Sequence, residues 1–324
     1  MSFVRRLACL PVMLLAFASG GQADDRPLHA DAGQTVERSI EHAKHDRTYR
    51  LHLPAGLHAG EAVPLVIALH GLSMDGESME ALTGLSEVAD EKGFIAVYPD
   101  GLGRMWRFWE RHELGQRVRS EFGYVDEVGF IEALIDSLIS EGLVDGRRVY
   151  VTGLSNGAYM TNRLASSLSD RIAAVAPVAG TMSPAISNLD APRPMPFLYI
   201  HGTDDRIVGF DGVDSFTGIK SSLDANELVA WWCDHNGCRK NVTGRPLPDT
   251  VEDGCRVMQT VFESEQGAPV VFYEVTDGGH TWPGGDFQPE RLLGPVCRDF
   301  KASELMWEFF SHYSLPEAEA PAAP

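Results

Sequence analysis

The stretch "TGLSNGAYM", Thr152–Met160, decides how this chain is read. It follows "RRVYV" (147–151), a short apolar, β-branched run. It leads into a segment with Met160, Leu164 and Leu168 four residues apart. That pattern predicts a strand passing into a helix, with Ser155 on the bend between Gly153 and Gly157. Glycine and serine are ordinary turn residues. The same letters, G-x-S-x-G between a strand and a helix, also describe a nucleophile elbow. Such an elbow presents a serine hydroxyl above the strand end, and its glycines leave room for close backbone approach. In a chain with 32 glycines the pattern alone is weak, so its surroundings must choose between the readings.

Outward from the elbow, strand-length apolar runs alternate with helical patterns. "PLVIALH" (64–70) and "FIAVYPD" (94–100) are continuous apolar runs, as expected of strands covered on both faces. "IAAVAPVAG" (172–180), "MPFLYIHG" (195–202) and "PVVFYEV" (269–275) add further strands. "TYRLHLP" (48–54) alternates and reads as an early antiparallel strand. Between 70 and 94 a helix ends at Gly93. Val128, Ile131, Leu134, Ile135 and Leu138 mark one face of another. "DANELVAWWCDH" (224–235) and "ASELMWEFFSHY" (302–313) are helices, with Trp231 and Trp232 read as packing residues. No internal repeat is present. The alternation predicts one α/β domain with a mostly parallel central sheet flanked by helices. No G-x-G-x-x-G follows a strand, so a dinucleotide site is a poor rival.

A nucleophilic serine needs a base. His70, His201 and His280 each follow a strand-like run. In an α/β-hydrolase the order along the chain is serine, acid, histidine. Only His280, in the glycine-rich "DGGHTWPGG", comes after both the serine and an acid-bearing strand end. His70 and His201 read as residues that orient loops at strand ends. "HGTDDRIV" (201–208) offers Asp204 and Asp205 as the acid, with Asp211 and Asp214 nearby. The carboxylate would hold the second imidazole nitrogen and stabilise the imidazolium. The loop after "PLVIAL" and the residue after the nucleophile are the expected oxyanion donors, here the backbone N–H groups of Leu72 and Asn156.

Six motifs in this order, "LHGL", "YPDGLGRMW", "DEVGFI", "RRVYVTGLSNGAYM", "HGTDDRIV" and "GGHTWPGG", resemble the exported esterases of the polyhydroxybutyrate depolymerase and feruloyl esterase type (carbohydrate esterase family 1). The likeness spans roughly residues 45–313. It implies an α/β-hydrolase fold and a Ser-Asp-His esterase without metal or organic cofactor. The serine falls on Ser155, the histidine on His280, and the acid of the HGTxD pattern on Asp205. Three positions depart from the usual pattern. Ala158 stands where many relatives have glycine. Asp204 and Arg206 stand where alanine and proline are common. Leu72 replaces a cysteine frequent in fungal-type depolymerases. The implied chemistry is acylation of the serine, release of an alcohol, then hydrolysis by water. Trp106, Tyr159 and Trp282 are the expected substrate-lining aromatics, suited to a feruloyl ring or a hydroxyalkanoate chain. Trp109 reads equally as a packing residue. The substrate expected is a feruloyl or related cell-wall ester, with a polyhydroxybutyrate-type polyester or oligomer as the alternative. A hydrolase scaffold used only for binding is the remote one.

Composition sets the context. The first residues, "MSFVRR", then "LACLPVMLLAFA", then "SGGQADD", follow the secretory signal pattern, with cleavage expected after Ala23. The apolar run is too short to span a bilayer. The expected domains are a signal peptide over 1–23, a lead-in over 24–44, a catalytic domain over 45–314, and a disordered tail over 315–324. The chain is expected to be secreted or periplasmic. The formal charge of the whole chain is −19; loss of Arg5 and Arg6 with the signal leaves −21. Such an acidic surface argues against nucleic acid and anionic membrane as partners. Four cysteines remain after the signal. In an exported chain they predict two disulfides, with Cys238–Cys255 and Cys233–Cys297 as the favoured pairing. Their spacing is not a zinc pattern.

Overall fold

The structure, a computed structural model, describes residues 31–109, 125–184, 186–188, 191–214 and 218–317. The signal segment lies outside the described residues. Among the described residues ten strands form one sheet. In chain order they are β1 (Gln34–His42), β2 (His45–Leu53), β3 (Val63–Leu69), β4 (Ile95–Pro99), β5 (Val144–Leu154), β6 (Ala174–Val178), β7 (Phe197–Gly202), β10 (Cys238–Pro246), β11 (Arg256–Ser264) and β12 (Val270–Thr276). Two short strands, β8 (Val213–Asp214) and β9 (Ile219–Lys220), pair separately. Across the main sheet the order is β1-β2-β4-β3-β5-β6-β7-β12-β11-β10. The six central strands from β4 to β12 run parallel. Antiparallel strands extend both edges.

Among the described residues six helices cover the sheet, α1 (Gly76–Thr83), α2 (Leu85–Lys92), α3 (Glu127–Ser140), α4 (Asn156–Ser167), α5 (Ala225–His235) and α7 (Ala302–Phe310), and a single exposed turn, α6 (Glu290–Leu293), precedes the last of them. The central strands read as unbroken apolar runs because each alternate side chain meets a different core. Leu65, Ile67 and Leu69 of β3 face a core shared with α3, α4 and α5. Val66 and Ala68 face a second core shared with α1, α2 and α7. Each fully buried Leu or Ile in these layers contributes about 1.5–3 kcal/mol. No helix among the described residues is long and apolar enough to cross a membrane.

Three expectations change. The lead-in over 24–44 contains β1, which pairs residue for residue with β2 from Gln34↔Leu53 to His42↔His45. A boundary at 45 would cut that hairpin. The expected tail over 315–324 has its first residues held against the domain, and 318–324 lie outside the described residues. Leu315 is buried, its N–H donates to Arg147 O, and its carbonyl accepts from Arg147 Nε. The placement of the four cysteines, all free thiols in this structure, also differs from the favoured pairing. Cys238 opens β10 opposite Ser264, whereas Cys255 precedes the far end of β11. Nine residues of extended chain separate the two by about 30 Å, against a disulfide limit of about 7 Å between Cα atoms. The thiols of Cys233 and Cys238 lie within hydrogen-bonding reach of one another at one end of this hairpin. Those of Cys255 and Cys297 do so at the other.

Candidate active site

The parallel strands all end at one edge of the sheet, where open α/β sheets place their ligands. β5 delivers Ser155, the turn after β7 delivers Asp205, the loop after β12 delivers His280, and the loop after β3 delivers Leu72.

Ser155 takes φ 56°, ψ −118° between β5 and α4. A left-handed conformation for a residue with a side chain stores on the order of 1–3 kcal/mol. The surroundings hold it there. Ser155 N–H donates to Val178 O (2.9 Å), and its carbonyl accepts from Ala158 N–H (2.8 Å) and Tyr159 N–H (3.1 Å). The flanking glycines are required by contact. A Cβ on Gly153 would sit 2.5 Å from Gly157 O, and one on Gly157 would run into Leu69 O and His70 O. The helix therefore crosses the strand, and the loop after β3 crosses the helix, at backbone distance.

That loop places Gly71 against Ser155: a Cβ added there would be 3.6 Å from Ser155 Cβ. His70, fully buried, ties the loop on both ring nitrogens. Nδ1–H donates to Gly71 O (2.7 Å), and Nε2 accepts from Gly101 N–H (2.9 Å). Burial pushes its pKa down, which suits the neutral ring these bonds need. Trp106 Nε1–H donates to His70 O (3.1 Å). The Trp106 backbone exchanges two bonds with the side chain of Asn156: Trp106 N–H to Oδ1 (2.6 Å) and Nδ2–H to Trp106 O (3.0 Å). The two expected oxyanion donors thus sit on segments clamped together by Trp106. Among the described residues neither the Leu72 nor the Asn156 backbone N–H has an acceptor. For Asn156 this follows from its place as the first residue of α4.

Asp205 and His280 meet. His280 Nδ1 lies 2.8 Å from Asp205 Oδ2. Asp205 Oδ1 accepts from Ile207 N–H and Val208 N–H, each at 2.9 Å. The carboxylate is buried, which alone would raise its pKa. Hydrogen bonds from His201 and His280 outweigh burial and hold it well below the usual carboxylate range. Asp204 turns to solvent and pairs with Arg206 at 2.6 Å.

The role of His201 goes beyond its expected one. Its Nε2 lies 2.9 Å from Val208 O and 3.4 Å from Asp205 Oδ2, while Nδ1 faces Tyr199 OH at 2.5 Å. A carbonyl can only accept, so Nε2 carries the proton and Nδ1 accepts from the tyrosine. Tyr199 and His201 are two apart on β7 and share a face; that spacing was the available sequence signal.

The aromatic expectations divide. Trp106 and Trp282 have no exposed surface. Trp106 is the clamp just described. Trp282 lies in the core beneath the His280 loop, with Nε1–H on Ser303 Oγ at 3.3 Å. Neither ring has a face free for a ligand. Tyr159 is half-buried, stacks on Phe108 at 4.8 Å, and donates its hydroxyl to Ser222 Oγ at 3.2 Å. Leu72 is 57% exposed. Trp109 meets Phe108 edge-on at 5.0 Å.

The arrangement offers a serine on a strained bend, a histidine held by a buried carboxylate, and two unpaired N–H groups. That set can carry acyl transfer.

The chain is similar to known esterases. Residues 47–195 match the family described as Esterase PHB depolymerase. The chain is 32% identical over 298 residues to "Putative esterase NocK" of Nocardia uniformis subsp. tsuyamanensis, covering 88% of this chain and 84% of that protein. It is 26% identical to feruloyl esterase B of Piromyces equi, covering 81% of this chain and 44% of that one. To poly(3-hydroxyalkanoate) depolymerase C of Paucimonas lemoignei it is 27% identical, over 72% of this chain and 58% of the relative. It therefore spans about half the length of those last two. Among solved structures, the acetyl xylan esterase from Aspergillus awamori shares the fold, with TM-score 0.58 and 15% identity over 85% of this chain and 99% of that one.

Proposed function

The chain belongs to the esterase PHB depolymerase family, and from that membership we propose an exported carboxylic-ester hydrolase working through Ser155, His280 and Asp205. The observation that carries this reading is the buried Asp205–His280 pair at 2.8 Å on the sheet edge where Ser155 occupies its strained bend. His280 Nε2 takes the proton as Ser155 Oγ attacks the ester carbonyl. Asp205 keeps the other proton on Nδ1 and stabilises the imidazolium. The Leu72 and Asn156 N–H groups receive the oxyanion, each lowering the barrier by about 3 kcal/mol. His280 then protonates the leaving alcohol. It next activates a water that releases the acid.

For the substrate we favour feruloyl or related cell-wall esters. The support is the likeness to feruloyl esterase B and the half-buried Tyr159–Phe108 stack beside the elbow. The likeness to a poly(3-hydroxyalkanoate) depolymerase supports polyester oligomers as the second reading. A panel of methyl ferulate, acetylated xylan, hydroxybutyrate oligomers and nitrophenyl esters separates them. Ser155→Ala is expected to lose at least about 10⁴ in turnover and to escape labelling by a serine-directed organophosphate. Activity within tenfold of wild type would remove Ser155 from the mechanism. Amino-terminal sequencing of the exported protein tests cleavage after Ala23.

A further inference from the structure

Residues 293–297 run as a strap behind the loop that carries His280. Leu293 O accepts from His280 N–H (2.6 Å), and Pro295 O accepts from Gly279 N–H (2.9 Å) and from Thr281 Oγ1–H (3.2 Å). Cys297 O accepts from Gly284 N–H (2.8 Å). Four donors of the 279–284 loop therefore end on three carbonyls of the strap, one of them from His280 itself.

The strap is tied in turn to the segment that leads into β11. Asp253 bridges the two: Oδ1 accepts from Cys255 N–H (2.9 Å) and Oδ2 from Arg298 N–H (2.6 Å). Asp299 bridges them again, Oδ1 accepting from Thr250 N–H (2.6 Å) and Val251 N–H (3.1 Å). Between these two carboxylate bridges lie the thiols of Cys255 and Cys297. Both residues are fully buried. Their sulfurs and an Asp253 carboxylate oxygen lie within 4.8 Å of one another.

We propose that Cys255 and Cys297 form a disulfide that locks the strap, and through it the His280 loop, in its working position. This rests on His280 being the general base. A zinc site fits less well, since both Asp253 oxygens already accept backbone N–H groups and only two thiolates would remain.

The bond forms by exchange with an external disulfide, a small molecule or a protein dithiol oxidant. The Cys297 thiolate attacks one sulfur of that disulfide and expels the other as a thiolate. The Cys255 thiolate then attacks Cys297 Sγ in the mixed disulfide, forms the Sγ–Sγ bond and expels the second thiolate. Two protons leave the protein thiols, and the two electrons reduce the oxidant to two thiols. Since both sulfurs are buried, exchange takes place during folding, before the strap closes.

Mass-spectrometric peptide mapping of the unreduced, exported protein is expected to recover a Cys255 peptide linked to a Cys297 peptide. The variant C255A/C297A is then compared with C233A/C238A. Displacing a catalytic group by about 1 Å costs on the order of 10² in rate. Turnover of a nitrophenyl ester is therefore expected to fall roughly ten- to a hundredfold in the first variant and less than twofold in the second. Amide exchange over 278–284 is expected to quicken at least about tenfold in the first variant alone. Wild-type protein refolded under reducing conditions, with every pair open, is expected to behave like the first variant without a substitution. Free Cys255 and Cys297 thiols, bound zinc, a different pairing, or unchanged exchange over 278–284 would each overturn the proposal. A wild type inactive on every ester would instead sink the esterase reading, with mapping and exchange still deciding the disulfide.

Discussion

Replacing Asp205 by asparagine tests the site at one atom. Oδ1 accepts two backbone N–H groups at 2.9 Å, from Ile207 and Val208. An amide NH₂ cannot sit there, because donor would face donor. The asparagine oxygen must take that place, which turns its NH₂ toward His280 and His201. His280 Nδ1 would then have to accept, and its proton would move to Nε2. That tautomer cannot take the proton of Ser155. In the worked serine-protease case the same substitution lowers turnover by about 10⁴, or roughly 5 kcal/mol of barrier. The shape of the site is kept, so the loss is expected in kcat rather than KM. Asp204→Asn is the control. Its carboxylate is 40% exposed and pairs with an exposed arginine. Such pairs contribute about 0–1 kcal/mol, and its turnover is expected to stay well within tenfold of wild type. Nitrophenyl acetate hydrolysis, with thermal melts to confirm folding, decides between them. Asp205→Asn retaining a tenth of wild-type turnover would refute the tautomer argument, and a crippled Asp204→Asn beside it would move the acid by one residue.

Trp106→Phe removes the Nε1–H bond to His70 O in a fully buried position. It is expected to cost about 1–3 kcal/mol of stability and to lower kcat more than it raises KM, read from a melt and a saturation curve; an unchanged kcat would separate this clamp from the oxyanion donors. Asp75 caps α1, accepting from Ser78 N–H and pairing with Arg104. Burial raises its pKa, but the Ser78 and Arg104 bonds win and bring it from 3.8 to about 2. A depressed carboxylate stabilises the fold above its unfolded pKa and loses that contribution as pH falls through about 2. Asp75→Ala should thus be less stable by about 1 kcal/mol at neutral pH, discounted for its exposure, with the gap closing below about pH 4; a gap that widens in acid would contradict the sign. The Cys255–Cys297 bond would close a span of some 40 residues, for which chain entropy suggests about 4 kcal/mol, against roughly 2 for the short Cys233–Cys238 span. Urea unfolding of the two double-alanine variants is expected to rank them in that order.

Much of the architecture was legible along the chain because central strands and helices carry their signals locally. β3 and β4 read as continuous apolar runs since both sheet faces are covered. The alternation of strands and helices then left few topologies to consider. The Ser155 bend was legible for the same reason, its glycines being set by contacts within four residues and with the adjacent strand. The edges were not. β10, "CRKNVTGRP", has no apolar run because it pairs only with β11. β1 likewise leans on one neighbour. Burial of individual aromatics was also illegible. Trp106 and Trp282 stand in polar or glycine-rich loops, and only the packing of those loops against β3, Asn156 and α7 turns their rings inward. The cysteines are the sharpest case. Spacing along the chain left three pairings open, and the antiparallel β10–β11 hairpin places Cys238 and Cys255 at opposite ends of a strand. Local patterns report a residue's neighbours within a turn or a strand. Which sulfur faces which, and which carboxylate faces His280, depends on strand register and loop packing between segments some 40 to 75 residues apart, where periodicity carries no information.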